Sequence, residues 1–203
     1  MRLLKATAFT ALLALHGLTA LAQSLEEGLS AFQQGDFATA LQHLEPLAKQ
    51  DDARAQYNLG VMYHHGWGVT QDDREAVEWF RSAAEQGHTH AQSSLAVMYR
   101  HGRGVTQNYS EAVRWYRRAA EQGEVTAQFN LGSMYALGQS VAPNPVLAYM
   151  LENLAAAQGN KIARFTRNES LKNLTPEQIT EGQRLASEWQ VGTPLPTETD
   201  TWP

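Results

Sequence analysis

The sequence predicts an all-α fold, a solenoid of helix hairpins closed by a C-terminal capping helix. Three observations predict it. The first is a 36-residue period: ARAQYNLGVMYHHGWGVTQDDREAVEWFRSAAEQG at 53–87 returns as THAQSSLAVMYRHGRGVTQNYSEAVRWYRRAAEQG at 89–123, then as VTAQFNLGSMYALGQSVAPNPVLAYMLENLAAAQG at 125–159. The second is apolar residues at helical spacing inside each copy. The third is glycine recurring where helices would stop. Each hairpin leaves apolar surface on both sides, so it must stack on neighbours to fold.

The elements follow in order. Arg2 and Lys5 precede the apolar run ATAFTALLAL, and Ala20-Leu21-Ala22 offers a small-x-small cleavage site. That grammar predicts a signal peptide over 1–22, cut after Ala22, and therefore a periplasmic or secreted protein. The run is too short to span a bilayer as a mature helix. A degenerate N-terminal repeat follows over 23–51, where Ala40 and Ala48 stand 36 residues before Ala76 and Ala84. Three full repeats occupy 52–159. In the first helix of each, Ala55, Leu59, Met62 and Tyr63 recur as Ala91, Leu95, Met98 and Tyr99, then as Ala127, Leu131, Met134 and Tyr135. In the second, Ala76, Trp79, Phe80, Ala83 and Ala84 are matched by Ala112, Trp115, Tyr116, Ala119 and Ala120.

Gly66, Gly102 and Gly138 stand where each first helix ends, a position that prefers a left-handed backbone. Asp72, Asn108 and Asn144 are good N-caps for the second helices. Glu75 and Glu111, three residues on, predict capping boxes, and Pro145 suits the first helical position. Capping helices are expected over 160–190: one from about Lys161 to Lys172, and one opened by Thr175-Pro176-Glu177-Gln178. Residues 191–203, rich in Pro and Thr, read as a disordered tail.

The pattern A-x-x-x-L-G-x-M-Y-x-x-G-x-G-V-x-x-D…A-V-x-W-F/Y-x-x-A-A-E-Q-G resembles the Sel-one-like repeat, a relative of the tetratricopeptide repeat. AYMLENLAAAQGN and LTPEQITEGQRLASEW resemble the closing segment of exported bacterial members. The resemblance implies a right-handed α/α superhelix that serves as an adaptor or scaffold. Such members have been linked to envelope assembly, polysaccharide export, signalling regulation and host interaction. A cysteine-rich branch has been credited with penicillin binding or hydrolysis, and this chain has no cysteine. The third copy departs from the pattern: Leu151 and Glu152 replace the Trp and aromatic, so Glu152 falls on an apolar position and is expected to reach water beside the cap.

Several chemistries find little support. Removal of the signal leaves 14 basic against 21 acidic residues, a net charge of −7, which opposes nucleic-acid binding. Arg114, Arg117 and Arg118 read as a solvated face. The G-x-G of HGWGVTQD follows a helix and lacks the lysine of a phosphate loop, so it reads as a joint. His64, His65 and His101, with His88 and His90, match no standard metal spacing. No H-E-x-x-H, G-x-S-x-G or S-x-x-K pattern occurs, and no enzyme activity, metal or cofactor is expected.

Function is expected where the repeats differ. Tyr57, Asn58, Val61, His64 and His65 match Ser93, Ser94, Val97, Arg100 and His101, then Phe129, Asn130, Ser133, Ala136 and Leu137. Offsets of 0, +1, +4, +7 and +8 trace one helix face. In solenoids of this kind first helices line the concave side, where partners bind. The expectation is a non-enzymatic scaffold in the envelope that binds a protein or peptide there, with Tyr57 and Phe129 as anchors. The alternative is a periplasmic regulator sensing a carbohydrate or small ligand, with Trp67 stacking on sugar.

Overall fold

The computed structural model describes residues 19–197 and residue 200. The signal-peptide expectation for 1–22 therefore lies mostly outside the described residues. Residues 19–34 form a helix, α1, with Leu25 and Ala31 buried. Then come α2 (Phe37–Ala48), α3 (Ala53–His65), α4 (Asp73–Glu85), α5 (Thr89–His101), α6 (Tyr109–Glu121), α7 (Val125–Leu137), α8 (Pro145–Ala157), α9 (Lys161–Ser170) and α10 (Pro176–Glu188). No strand occurs among the described residues. The fold is an all-α repeat solenoid, and the described residues fall into two compact units parted between Gln86 and Gly87.

In the first unit, α1–α4 share a core of Leu25, Leu44, Leu47, Leu59 and Met62, with Phe32, Phe37 and Trp79 packed against it. Each fully buried Leu or Met contributes ~1.5–3 kcal/mol. Alanines 40, 55, 76 and 83 have no exposed surface, which lets the helix backbones approach closely. The second unit repeats this on α5–α8, where Leu95, Met98, Tyr116, Leu131, Met134 and Met150 are buried. There α8 also packs against α9 and α10.

The joint is the helix stop that the sequence predicts. Gly66, Gly102 and Gly138 have φ near +70° (70°, 67° and 67°) and donate to the Met62, Met98 and Met134 carbonyls. The next turn returns the chain to the same helix: the amides of Asp72, Asn108 and Asn144 donate to the carbonyls of Tyr63, Tyr99 and Tyr135. Gly68 allows a further close approach, because a Cβ there would lie 3.0 Å from the Phe37 carbonyl oxygen. Asp72, Asn108 and Asn144 then cap α4, α6 and α8. The reciprocal bond of a capping box forms at Thr175–Gln178. At α6 the Glu111 carboxylate accepts instead from Arg114, one turn ahead and with more charge to offer than the cap amide.

Three expectations need correction. Residues 191–197 are not a free tail: Leu195 is buried, and the Leu195 and Pro196 carbonyls accept from Arg117. A leucine among prolines gives the segment a side chain worth burying, which the Pro/Thr composition hides. Glu152 does not reach water; it is 4% exposed and accepts from the Ser170 hydroxyl at 2.9 Å. Of the three arginines of α6, Arg114 and Arg118 are exposed as expected, whereas Arg117 is half-buried and turned to the Leu195 and Pro196 carbonyls and the Tyr135 hydroxyl. Arg114 and Arg118 lie over the buried Trp115 ring at 5.0 and 4.8 Å, covering it while keeping their charges wet.

Candidate functional site

The varied residues sit on the first helices α3, α5 and α7, as their offsets require. In the first unit, Tyr57, Asn58, Val61 and His64 are half-buried and His65 is exposed. Tyr57 rests against Phe80, with ring centroids 6.0 Å apart, so its position is fixed by α4. Asn58 donates to the Arg54 carbonyl of its own helix. His64 is pinned through Nδ1 to the Asp73 carboxylate at 2.6 Å. His65 stacks on Trp67 at 4.5 Å and touches the His64 ring at 4.7 Å. Burial, and then the neighbouring His64, push the His65 imidazole below its ordinary value against the pull of Asp73. Trp67 in turn stacks on Phe37 at 5.0 Å, with Phe32 tilted beside it.

In the second unit the α5 and α7 sets are brought together: Arg100 donates to the Asn130 side-chain oxygen at 3.2 Å. Ser94, Val97, Phe129 and Ser133 are half-buried, and His101 is exposed. Ser133 donates to the Phe129 carbonyl, one turn back. Ala136 and Leu137 are exposed, Leu137 by 65%. Ser93 does not belong to the surface. It is 7% exposed, because a serine is too short to reach out from where Tyr57 and Phe129 project.

Two features escaped the sequence reading. The first is Phe165 on α9, 66% exposed beside Ile162 at 63%. Phe165 stands 36 residues after Phe129, so α9 continues the same face; carrying the period past Gly159 would have found it. The second is a glutamine stitch. The buried Gln56, Gln92 and Gln128 accept through Oε1 from Gln86, Gln122 and Gln158 at 2.8, 2.7 and 2.9 Å. Gln56 and Gln128 also donate to the Ala48 and Ala120 carbonyls at the end of the preceding second helix. Each of these two residues therefore ties three helices. The signal was present as two glutamines repeating in register.

Most polar groups on the face are already satisfied within the protein. What remains accessible is aromatic and apolar surface with a few polar edges. Among the described residues, no three His, Cys, Asp or Glu side chains converge as metal ligands. No described helix is long and apolar enough to cross a membrane.

The comparisons with known proteins follow this architecture. No curated protein matches the chain. Among solved structures, c5321 from uropathogenic Escherichia coli, described as a protective antigen displaying an SLR fold, is 37% identical with a TM-score of 0.67. The match covers 70% of this chain and 32% of that one, so this chain spans about a third of its length. A Sel1 repeat protein from Oxalobacter formigenes is 28% identical with a TM-score of 0.69, covering 81% of this chain and 70% of the other. The Sel1 repeat model matches four times, over 15–52, 53–88, 89–124 and 125–160, and the last three matches each hold one first helix, its glycine joint and one second helix. With that model covering well over half of its length, the chain belongs to the Sel1 repeat family.

Proposed function

We propose that this chain is a non-enzymatic adaptor of the bacterial envelope that binds a protein or peptide through its first-helix face, the side expected to be concave. One observation carries the proposal: within each unit most residues that repeat are buried or tie helices together, while those that vary, Ser93 apart, are half-buried or exposed on one side of the first helices, with Tyr57 in the first unit and Phe129 in the second. Tyr57, Phe129 and Phe165 occupy equivalent register positions, and fixed aromatic rings bury large area at low entropic cost. Repeat proteins of this family are generally interaction scaffolds, which supports the class of function.

The carbohydrate-sensing alternative needs an indole face open to a sugar ring. Trp67 is stacked by His65 and Phe37, which leaves that reading without support. Export rests on the N-terminal grammar, and likeness to a protein described as a protective antigen is compatible with it.

Two measurements test the proposal. Tyr57→Ala/Phe129→Ala, with helical circular dichroism retained, is expected to reduce partner capture at least tenfold; undiminished capture overturns the assigned face. Expression in a Gram-negative host is expected to yield periplasmic protein beginning at Gln23. An uncleaved cytoplasmic product overturns the location.

A further inference from the structure

The segment 191–197 makes peptide-like contacts on the second unit. The Gly192 amide donates to the Glu121 carbonyl at 2.7 Å, and the Leu195 amide donates to the Glu121 carboxylate at 3.1 Å. Arg117 donates to the Leu195 carbonyl at 3.0 Å and the Pro196 carbonyl at 3.3 Å, while its other nitrogen donates to the Tyr135 hydroxyl at 2.6 Å. The Leu195 side chain, 4% exposed, enters a niche lined by Arg117, Leu131, Tyr135, Leu147, Met150 and Leu151. Pro194 and Pro196 have no amide hydrogen and fix φ, so the flanking chain holds an extended course without needing further partners.

The niche has a cause in the repeat. At the position where the earlier copies carry Trp79 and Trp115, α8 carries Leu151. The smaller side chain leaves volume, and Leu195 occupies part of the niche it lines. The recognition elements are backbone-directed: an arginine for two consecutive carbonyls, a carboxylate for one amide, and one apolar socket. Little of this reads the identity of the occupant beyond a leucine flanked by prolines.

We propose that this groove of α6, α7 and α8 is a receptor for an extended Pro-Leu-Pro segment of a partner protein, held closed by the chain's own tail. The tether gives the tail an effective concentration on the order of millimolar, so a partner must displace it or bring added contacts elsewhere. The groove is independent of the first-helix face, and its test does not depend on that face.

The probe is a fluorescein-labelled peptide of residues 190–197 titrated into the full chain and followed by anisotropy. Leu195→Asp is expected to release the tail and bind the peptide at least tenfold more tightly than wild type. Adding Arg117→Ala to that variant is expected to weaken binding at least tenfold again. A Leu195→Asp chain that keeps its helical signal yet binds no better than wild type overturns the proposal, as does equal binding by the double variant. Should Leu195→Asp lose helical signal, Leu195→Ser replaces it. Amide exchange of Leu195 in wild type must also accelerate with millimolar peptide, and unchanged exchange counts against the groove. A wild-type dimer that Leu195→Asp dissociates assigns the groove to a second copy's tail and overturns the partner assignment.

Discussion

A Cβ placed on Gly60 would lie 2.5 Å from the Phe80 ring, well inside non-bonded carbon contact. Gly60→Ala is therefore expected to destabilise the first unit by about 1–3 kcal/mol despite the helix propensity gained, read as an earlier midpoint in urea unfolding. Glu152 makes the opposite case, a residue whose removal helps. Burial raises its carboxyl above the ordinary 4.5, opposed by the Ser170 hydroxyl and the Arg167 charge. A folded-state value above the unfolded one means that folding binds the proton, so stability from this group is present at low pH and is lost as pH rises past the ordinary carboxylate range. Glu152→Gln keeps an acceptor for Ser170 and is expected to melt higher than wild type at pH 8 and equally at pH 4. Equal melting at both pH values would mean that the carboxyl ionises without penalty.

The elements are held by caps and by the glutamine stitch, and the two differ in how well the sequence announces them. Asp72, Asn108 and Asn144 are legible because capping is local: an oxygen one turn from the amides it accepts needs no knowledge of the fold. Asp72→Ala is expected to cost about 1 kcal/mol, measured by thermal unfolding. His88 caps α5 by accepting the Ala91 amide on Nδ1, a role its composition did not single out. Gln128 joins α6, α7 and α8 through bonds to residues 8 and 30 positions away, and such bonds cannot be read from local pattern. Its removal loses two hydrogen bonds, although the Ala120 carbonyl still accepts from the Gly123 amide and the exposed Gln158 amide can turn to water, so Gln128→Ala is expected to cost about 1–2 kcal/mol in urea unfolding. The order of the tail is illegible for the same reason: residues 191–197 are held by Arg117 and Glu121, more than 70 positions upstream.

Across the whole molecule, periodicity made the fold legible because a repeat writes its core many times. Comparing copies also separated scaffold from surface, with the exception of Ser93, whose short side chain is buried. Phe165 is hard to read from the sequence because α9 follows the third copy without the glycine joint that ends the other first helices. A partner, by contrast, leaves no periodic trace, and the surface names only the chemistry it accepts. The most direct measurement places a photo-crosslinking amino acid at position 57, 129 or 78 of the full chain in living cells. Glu78 is exposed on the second helix of its repeat and serves as the control. Positions 57 and 129 are expected to crosslink to one and the same discrete protein that position 78 does not reach. No adduct at 57 and 129, or the same adduct from 78, would contradict a first-helix binding face.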